Sequence, residues 1–434
     1  MEGIKLAMTQ TKEEHFSRDF LASKAIEDFQ AFIGRVKKSV PFYQAKLSEI
    51  DPESIRTLDD ISRLPFTHKA DLREAYPFQM LGVDMSRVQE IHATSGTSGS
   101  AVVTAYTAHD LKLWGEAMGR VFRRAGVGPD DVVHNAYGYG LFTGGLGMHY
   151  AALEVGAAVV PMSGGYTQRQ GKMLKDLGAT VICSTPSYAQ HIAEAMGEMG
   201  ISRDDLHLKV GIFGAESWSL EMCRELETQL GITALDVYGL AEIIGPGVAS
   251  ECLIGHEGLH VAEDLFYFEV IDPDTGRPVP DGESGELVLS SLKREATPIM
   301  RYRTGDITRI LPGPCSCGRT TRRIDHIKGR VDDMFTLRGI NLFPREIESE
   351  LLRIEELAPV FQLVLDRNSA LDILEVHIEP KDHDIVHEHL IHKVKTHLNR
   401  TLGINVAVSV QEPHSIPRSE GKAVRLVDRR NLGR

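Results

Sequence analysis

The sequence predicts an α/β protein. It has a large N-terminal domain of several subdomains, with a parallel sheet and a β-rich part, and a small α+β domain after it. Three observations predict this. Between Asp131 and Glu242 short apolar runs alternate with amphipathic helical segments, the pattern of parallel strands joined by helices. Residues 265 to 311 switch to strand-like runs joined by the turn signals Asp274-Thr275-Gly276 and Asp281-Gly282. Beyond Gly329 to Asp333 a shorter strand, strand, helix, strand pattern begins. At 434 residues the chain exceeds one average domain. The expected division is 1–331 and 332–434.

Residues 1 to 80 read as helical and irregular. Thr57 to Leu64 and Phe66 to Leu72 read as short helical turns, with Thr57 and Thr67 as N-caps and Asp60 and Asp71 behind them. Apolar residues Val88, Ile91 and Ala93 precede a Ser/Thr/Gly loop, and Val102 to Tyr106 follows it as a β-like run. Asp131 to Ala136, Gly156 to Met162 and Thr180 to Ser184 read as strands. Thr185-Pro186 then starts a helix, with a hydroxyl cap and proline at the first helical position. Its face carries Tyr188, Ile192, Met196 and Met199, and Gly200 ends it. Leu208 to Phe213 is the next strand. Ser219 caps a helix closed by Gly231, and Ile232 to Val237 is strand again. Phe266 to Ile271, Gly285 to Leu289 and Ile307 to Leu311 read as antiparallel strands. The last unit shows strands near 361–365, 373–378 and 405–410, with a helix around 386–398.

Composition narrows the function. Hydrophobic residues at 42% build large cores, and a formal net charge of -13 argues against a nucleic-acid partner. The longest apolar runs, such as Val155 to Met162, are too short to span a bilayer. Residues 1 to 20 lack a secretory apolar core. Five cysteines in so long a chain do not make a disulfide framework, so the cytoplasm is the expected compartment. No membrane partner is expected, and a homodimer stays open.

Five segments carry candidate chemistry. In Thr94-Ser95-Gly96-Thr97-Ser98-Gly99 two glycines let the backbone approach a ligand, and hydroxyls with free N–H groups suit a nucleotide phosphate. Asp236-Val237-Tyr238-Gly239-Leu240-Ala241-Glu242 places an aromatic face for a nucleobase and a carboxylate for Mg²⁺ just past a strand. Gly214-Ala215-Glu216 ends the neighbouring strand with small residues that leave room for a ring. Both loops lie at strand carboxyl ends, where parallel sheets bind ligands. Asp306, in Tyr302-Arg303-Thr304-Gly305-Asp306, suits two ribose hydroxyls. Lys422 lies in a glycine-flanked loop, Ile416 to Lys422. Taken singly, Tyr238 also reads as a core aromatic, Asp306 as a turn cap and Lys422 as solvated surface.

Their order gives the stronger reading. With Val40-Pro41-Phe42-Tyr43, Leu64-Pro65-Phe66-Thr67, the run Tyr137 to Gly147, Gly245-Pro246-Gly247-Val248 and Gly258-Leu259-His260-Val261, the chain resembles the phenylacetate–coenzyme A ligase family of adenylate-forming enzymes. The resemblance implies two-step catalysis. A carboxylate attacks the α-phosphorus of Mg·ATP, giving acyl-adenylate and pyrophosphate. The thiol of coenzyme A then displaces AMP. It implies that residues 94–99 hold the β- and γ-phosphates, Tyr238 stacks on adenine, Glu242 binds Mg²⁺ and Asp306 holds the ribose. Arg330, Gly214, Ala215, Glu216, Asp236 and Gly239 join the nucleotide site. Lys422 stabilises developing phosphoryl charge. The small domain is then a mobile lid that rotates about Asp332 and removes Lys422 for the second step, bringing in the face at Arg338-Gly339-Ile340-Asn341.

Two departures from the family pattern stand out. Ser100 occupies a position often basic, and Ala241 one often hydroxylated, so weaker ATP binding is expected. The family also implies an aryl acid such as phenylacetate, in a pocket of Tyr137, Phe142, Gly214, Ala215, Ile244 and Pro246. Rival readings are an adenylating enzyme that loads an aryl acid onto a carrier-protein thiol and a catalytically silent nucleotide- or acyl-coenzyme-A-binding regulator. Finally, Cys315-Ser316-Cys317 in a Pro/Gly turn, with Cys252 and either His256 or His260, makes a Cys₃His set suited to structural Zn²⁺. Related ligases carry a comparable set, and the Gly-Leu-His-Val segment selects His260.

Overall fold

The structure is a computed structural model that describes residues 11–94, 101–338, 340–368, 371–382 and 385–430. A nine-stranded mixed sheet is its backbone. The strand order is Ile310–Leu311, Arg323–Ile324, Leu259–Val261, Gly245–Ser250, Thr233–Leu240, Val210–Gly214, Val181–Ser184, Val132–Asn135, Ala158–Val160. The last five run parallel. Beyond Thr233–Leu240 the pairing turns antiparallel. The parallel strands are short and apolar, and helices cross between them, as sheets buried on both faces require.

Local signals set the element ends. Thr185 caps the helix Pro186–Glu198 by accepting from Tyr188 N, and Ser219 caps Leu220–Leu230 by accepting from Met222 N. Gly231 closes the second helix in the left-handed conformation. Met199 is exposed rather than part of the buried stripe. Thr57 caps Leu58–Ser62 with Asp60 as its reciprocal partner. Thr67 is not a cap. It is buried, bridges to Tyr302 and donates to Met300 O at 2.7 Å, so His68 precedes the helix Lys69–Glu74 instead. Sheet pairing here outcompetes a local cap.

A four-stranded antiparallel sheet follows, in the order Tyr267–Ile271, Gly285–Ser291, Ile299–Thr308, Gly329–Arg330. The expected strand 307–311 divides. Ile299–Thr308 stays in this sheet, while Ile310–Leu311 joins the nine-stranded one. The long helix Arg18–Ser39 seals the large core with Phe29, Phe32, Ile33 and Val36. After the single turn Val331–Asp333, residues 335–404 build their own core from Phe361, Leu363, Val376, Leu390, Val394 and Leu398, among others. It holds a sheet ordered Ala407–Val410, Leu371–Pro380, Leu357–Asn368, Leu426–Asp428, with helices Pro344–Leu351 and His387–Leu402 against it.

Candidate active site

Val210–Gly214 and Thr233–Leu240 are parallel neighbours, with Gly214 opposite Val237. This register brings the ends of two sequence-flagged segments side by side. Gly214 has to be glycine, since a Cβ there would stand 2.1 Å from Val237 O. Ala215 then turns the chain with φ 72°. Gly239 is equally constrained, its Cβ falling 2.1 Å from Gly245 O where the sheet becomes antiparallel.

Tyr238 donates its hydroxyl to Asp306 Oδ2 at 2.5 Å, so the nine-stranded and four-stranded sheets meet here. Asp306 pairs in register with Arg330, whose Nη1 lies 3.8 Å from Asp306 Oδ1 and whose Nη2 donates to Thr304 O at 3.1 Å. Glu242 is buried and accepts from Tyr302 at 3.4 Å. Burial pushes the Asp306 carboxyl up, against the opposing pull of Arg330, Tyr238 and Lys422. Burial also drives the Tyr238 phenol well up, and Asp306 adds to it. Asp236 follows the same rule, pushed up to about 6 chiefly by burial. The structure thus gathers Tyr238, Glu242, Asp306 and Arg330, with Gly239 next along the strand, while the Asp236 carboxyl lies among Trp218, His326, Glu251 and Arg345 instead. Thr94 closes the strand pair that leads into the loop by accepting from Val102 N at 3.0 Å. Ser95, Gly96, Thr97, Ser98 and Gly99, with Ser100, lie outside the described residues.

Of the acyl-pocket candidates, Tyr137 is buried and hydrogen-bonded to the Gly214 backbone. Ile244 and Pro246 are fixed through their carbonyls, which accept from Tyr106 Oη at 2.9 Å and Trp114 Nε1 at 3.0 Å. Phe142 is not drawn in with them. It starts the helix Thr143–Val155 and is 56% exposed. Sequence reading missed Arg294, fully buried over the Tyr106 ring and donating to Ile243 O beside Glu242. An arginine in a loop gives no sequence signal of that depth.

The Lys422 loop lies on the large domain. Gly421 O accepts from Thr185 Oγ1 at 2.9 Å, and Ala423 N donates to Glu216 Oε2 at 2.8 Å. Elsewhere on this contact Ser219 N donates to Glu348 Oε2 at 3.0 Å and Ser349 Oγ to Glu221 Oε2 at 2.6 Å. Lys422 is exposed, and its charge reaches Asp306. Asp332 falls in the turn Val331–Asp333, between the two cores.

Cys252, His260, Cys315 and Cys317 are all buried, with ligand atoms within 4.8 Å of one another. Cys252 Sγ lies 3.8 Å from Cys315 Sγ, and Cys317 Sγ 3.4 Å from His260 Nε2. His260 Nδ1 pairs with Thr321 Oγ1 at 2.9 Å, which leaves Nε2 facing the thiols. Burial pulls the imidazole pKa down, and contact with Cys252, ahead of that with His260, holds the Cys317 thiol far below its ordinary value while the same contact pushes Cys252 up, so the pair shares one proton. A neutral imidazole and a thiolate are the ligand forms a metal needs. His256 turns instead toward Glu251, 3.6 Å away.

Comparison with known proteins identifies the family. Residues 65–293 match the AMP-binding enzyme family, and residues 339–430 match the AMP-binding enzyme C-terminal domain. The phenylacetate-coenzyme A ligase of Escherichia coli strain K12 is 44% identical over 91% of this chain and 92% of its own. The Thermus thermophilus enzyme of the same name is 40% identical over 97% and 99%. Among solved structures, 2-hydroxyisobutyryl-CoA ligase in the postadenylation state with 2-HIB-AMP superposes with a TM-score of 0.91 at 27% identity, covering 96% of this chain and 91% of that one. In the thioesterfication state with 2-HIB-AMP and CoA, the same ligase gives 0.73 at 28% identity, covering 97% and 92%. The chain belongs to the phenylacetate–coenzyme A ligase family of AMP-binding, adenylate-forming enzymes.

Proposed function

We propose that this chain couples ATP to the formation of an aryl-acyl–coenzyme A thioester, with phenylacetate as the first substrate to test. In the first step a carboxylate oxygen of the acid bonds to the α-phosphorus, and the bond to the bridging oxygen breaks to release pyrophosphate. In the second, the coenzyme A thiol releases its proton as its sulfur bonds to the acyl carbon, and the carbon–oxygen bond to AMP breaks. Tyr238 stacks on adenine, Asp306 and Arg330 hold the ribose side, and residues 94–99 take the outer phosphates. Lys422 meets the developing charge on the phosphoryl oxygens. Glu242 fits Mg²⁺ as a buried carboxylate at the phosphate end, where the ion would neutralise phosphate charge. Cys252, His260, Cys315 and Cys317 fit tetrahedral Zn²⁺ in a structural role. The lid is residues 332–434, turning at Asp332, and the compartment is the cytoplasm.

The observation that carries this reading is the meeting of Tyr238, Asp306 and Arg330 under a lid whose Lys422 charge reaches the same carboxylate. The closer superposition on the postadenylation state supports an arrangement set for the first step. Pyrophosphate release across a panel of aryl acids tests it, with AMP release followed with and without coenzyme A. Release with phenylacetate, and AMP only with the thiol, is the expected outcome. Nucleotide binding without pyrophosphate release would overturn it.

A further inference from the structure

We propose that Glu216, with Ser187 and Thr185, is a latch that positions Lys422 for adenylation, and that Glu216 does not contact the nucleotide. This rests on the reading of Lys422 as the adenylation lysine. Both peptide groups that flank Lys422 are held by the large domain. On one side Gly421 O accepts from Thr185 Oγ1 at 2.9 Å, with Ser187 Oγ 3.2 Å away. On the other, Ala423 N donates to Glu216 Oε2 at 2.8 Å. The second oxygen of Glu216 accepts from Ser187 N at 2.8 Å and from Ser187 Oγ at 2.5 Å. A hydroxyl has one proton, so Ser187 donates to the carboxylate along the shorter contact. Both carboxylate oxygens are therefore engaged, one by the large domain and one by the lid.

The anchor is the N-terminal turn of the helix Pro186–Glu198. Thr185 caps it, and a carboxylate at that end is stabilised by the helix dipole. Farther along the same helix Glu194 Oε2 lies 3.2 Å from Arg418 Nε, and Arg418 grips Glu379 with both terminal nitrogens. Residues 418 to 423 are thus strapped along one helix. Gly164 leaves them room, since a Cβ there would stand 3.2 Å from Glu420 O. The exposed lysine side chain gains its position from its own backbone, fixed on both sides. When the lid turns for the second step these bonds break, so the latch serves only the first.

The test measures the two half-reactions separately in the full-length protein, using Glu216→Gln, Ser187→Ala and Lys422→Ala. The first readout is pyrophosphate formation from ATP and phenylacetate. The second is thioester formation from supplied phenylacetyl-adenylate and coenzyme A, and the third is AMP affinity. A glutamine amide cannot accept from Ser187 N and Ala423 N together. Glu216→Gln should slow adenylation roughly ten- to a hundredfold, the weight of one charge-assisted hydrogen bond. Ser187→Ala should act in the same direction and less, and neither should change thioester formation or AMP affinity. Unchanged adenylation in both variants, equal loss in both half-reactions, or weakened AMP binding would overturn the latch. Lys422→Ala separates the two readings. If it leaves adenylation intact, the role of Lys422 falls. If it abolishes adenylation while Glu216→Gln does not slow it, only the latch falls.

Discussion

Asp306 is 8% exposed, and burial pushes its carboxyl up. Arg330, the Tyr238 hydroxyl and Lys422 oppose that push. Burial outweighs them, so the net shift of this carboxyl, proposed to hold the ribose, is upward. Asp306→Asn should raise the apparent KM for ATP about tenfold or more, read from initial rates at saturating acid. His326 shows the opposite balance. Burial pulls its imidazole down, but Asp325 and Glu251 outweigh that and raise it to about 10. Nε2 lies 3.2 Å from Glu251 Oε1. The folded state therefore keeps a proton that the unfolded chain releases near its ordinary pKa of about 6.5. The stabilisation is complete below that value and is lost as pH rises through about 10. The melting temperature should fall over this window, and His326→Gln should flatten the fall by several degrees.

At the scale of elements, close approach fixes the neighbouring ends of Val210–Gly214 and Thr233–Leu240, where the nucleotide is proposed to bind. Gly214→Ala drives a Cβ into Val237 O, and it should cost about 1–3 kcal/mol with a matching loss of adenylation, seen in melts and pyrophosphate assays. Much of this level was legible in the sequence. The parallel strands, the Thr185 and Ser219 caps and the Gly231 closure follow from period, hydroxyl and glycine signals that act within a few residues. Thr67 was misread because its competitor, the edge at Tyr302, lies more than two hundred positions away. The break after Thr308 was hidden for the same reason, since the partner of Ile310 is Ile324 in another sheet. The candidate residues stand out as motifs, and the Tyr238–Asp306 contact does not, because it joins two sheets. Phe142 carried the right residue type, but its exposure could not be read from a glycine-rich run.

For the whole molecule, the cysteine–histidine cluster acts as a knot. Arg124 donates to His260 O at 2.7 Å and to Glu14 at 2.7 Å, and Arg319 reaches the same Glu14 oxygen at 2.9 Å. The N-terminal turn Lys12–His15 is thereby tied to the strand Leu259–Val261 and the turn at Cys315. Metal analysis should find about one zinc per chain, the stoichiometry of a closed four-ligand site. Chelation, or Cys315→Ser, should lower the melting temperature by several degrees, with adenylation at low temperature largely kept.

The joint beside Lys422 is made of a carboxylate, two hydroxyls and two backbone amides, with the arginine–glutamate pair set apart at Glu194. Screening acts on exposed charges set far apart, and the Arg418–Glu194 contact is 3.2 Å long between side chains only 12% and 19% exposed. Rising ionic strength would therefore leave both ends of the strap seated. On the proposed role of Lys422, adenylation should then keep its geometry over a wide range of salt.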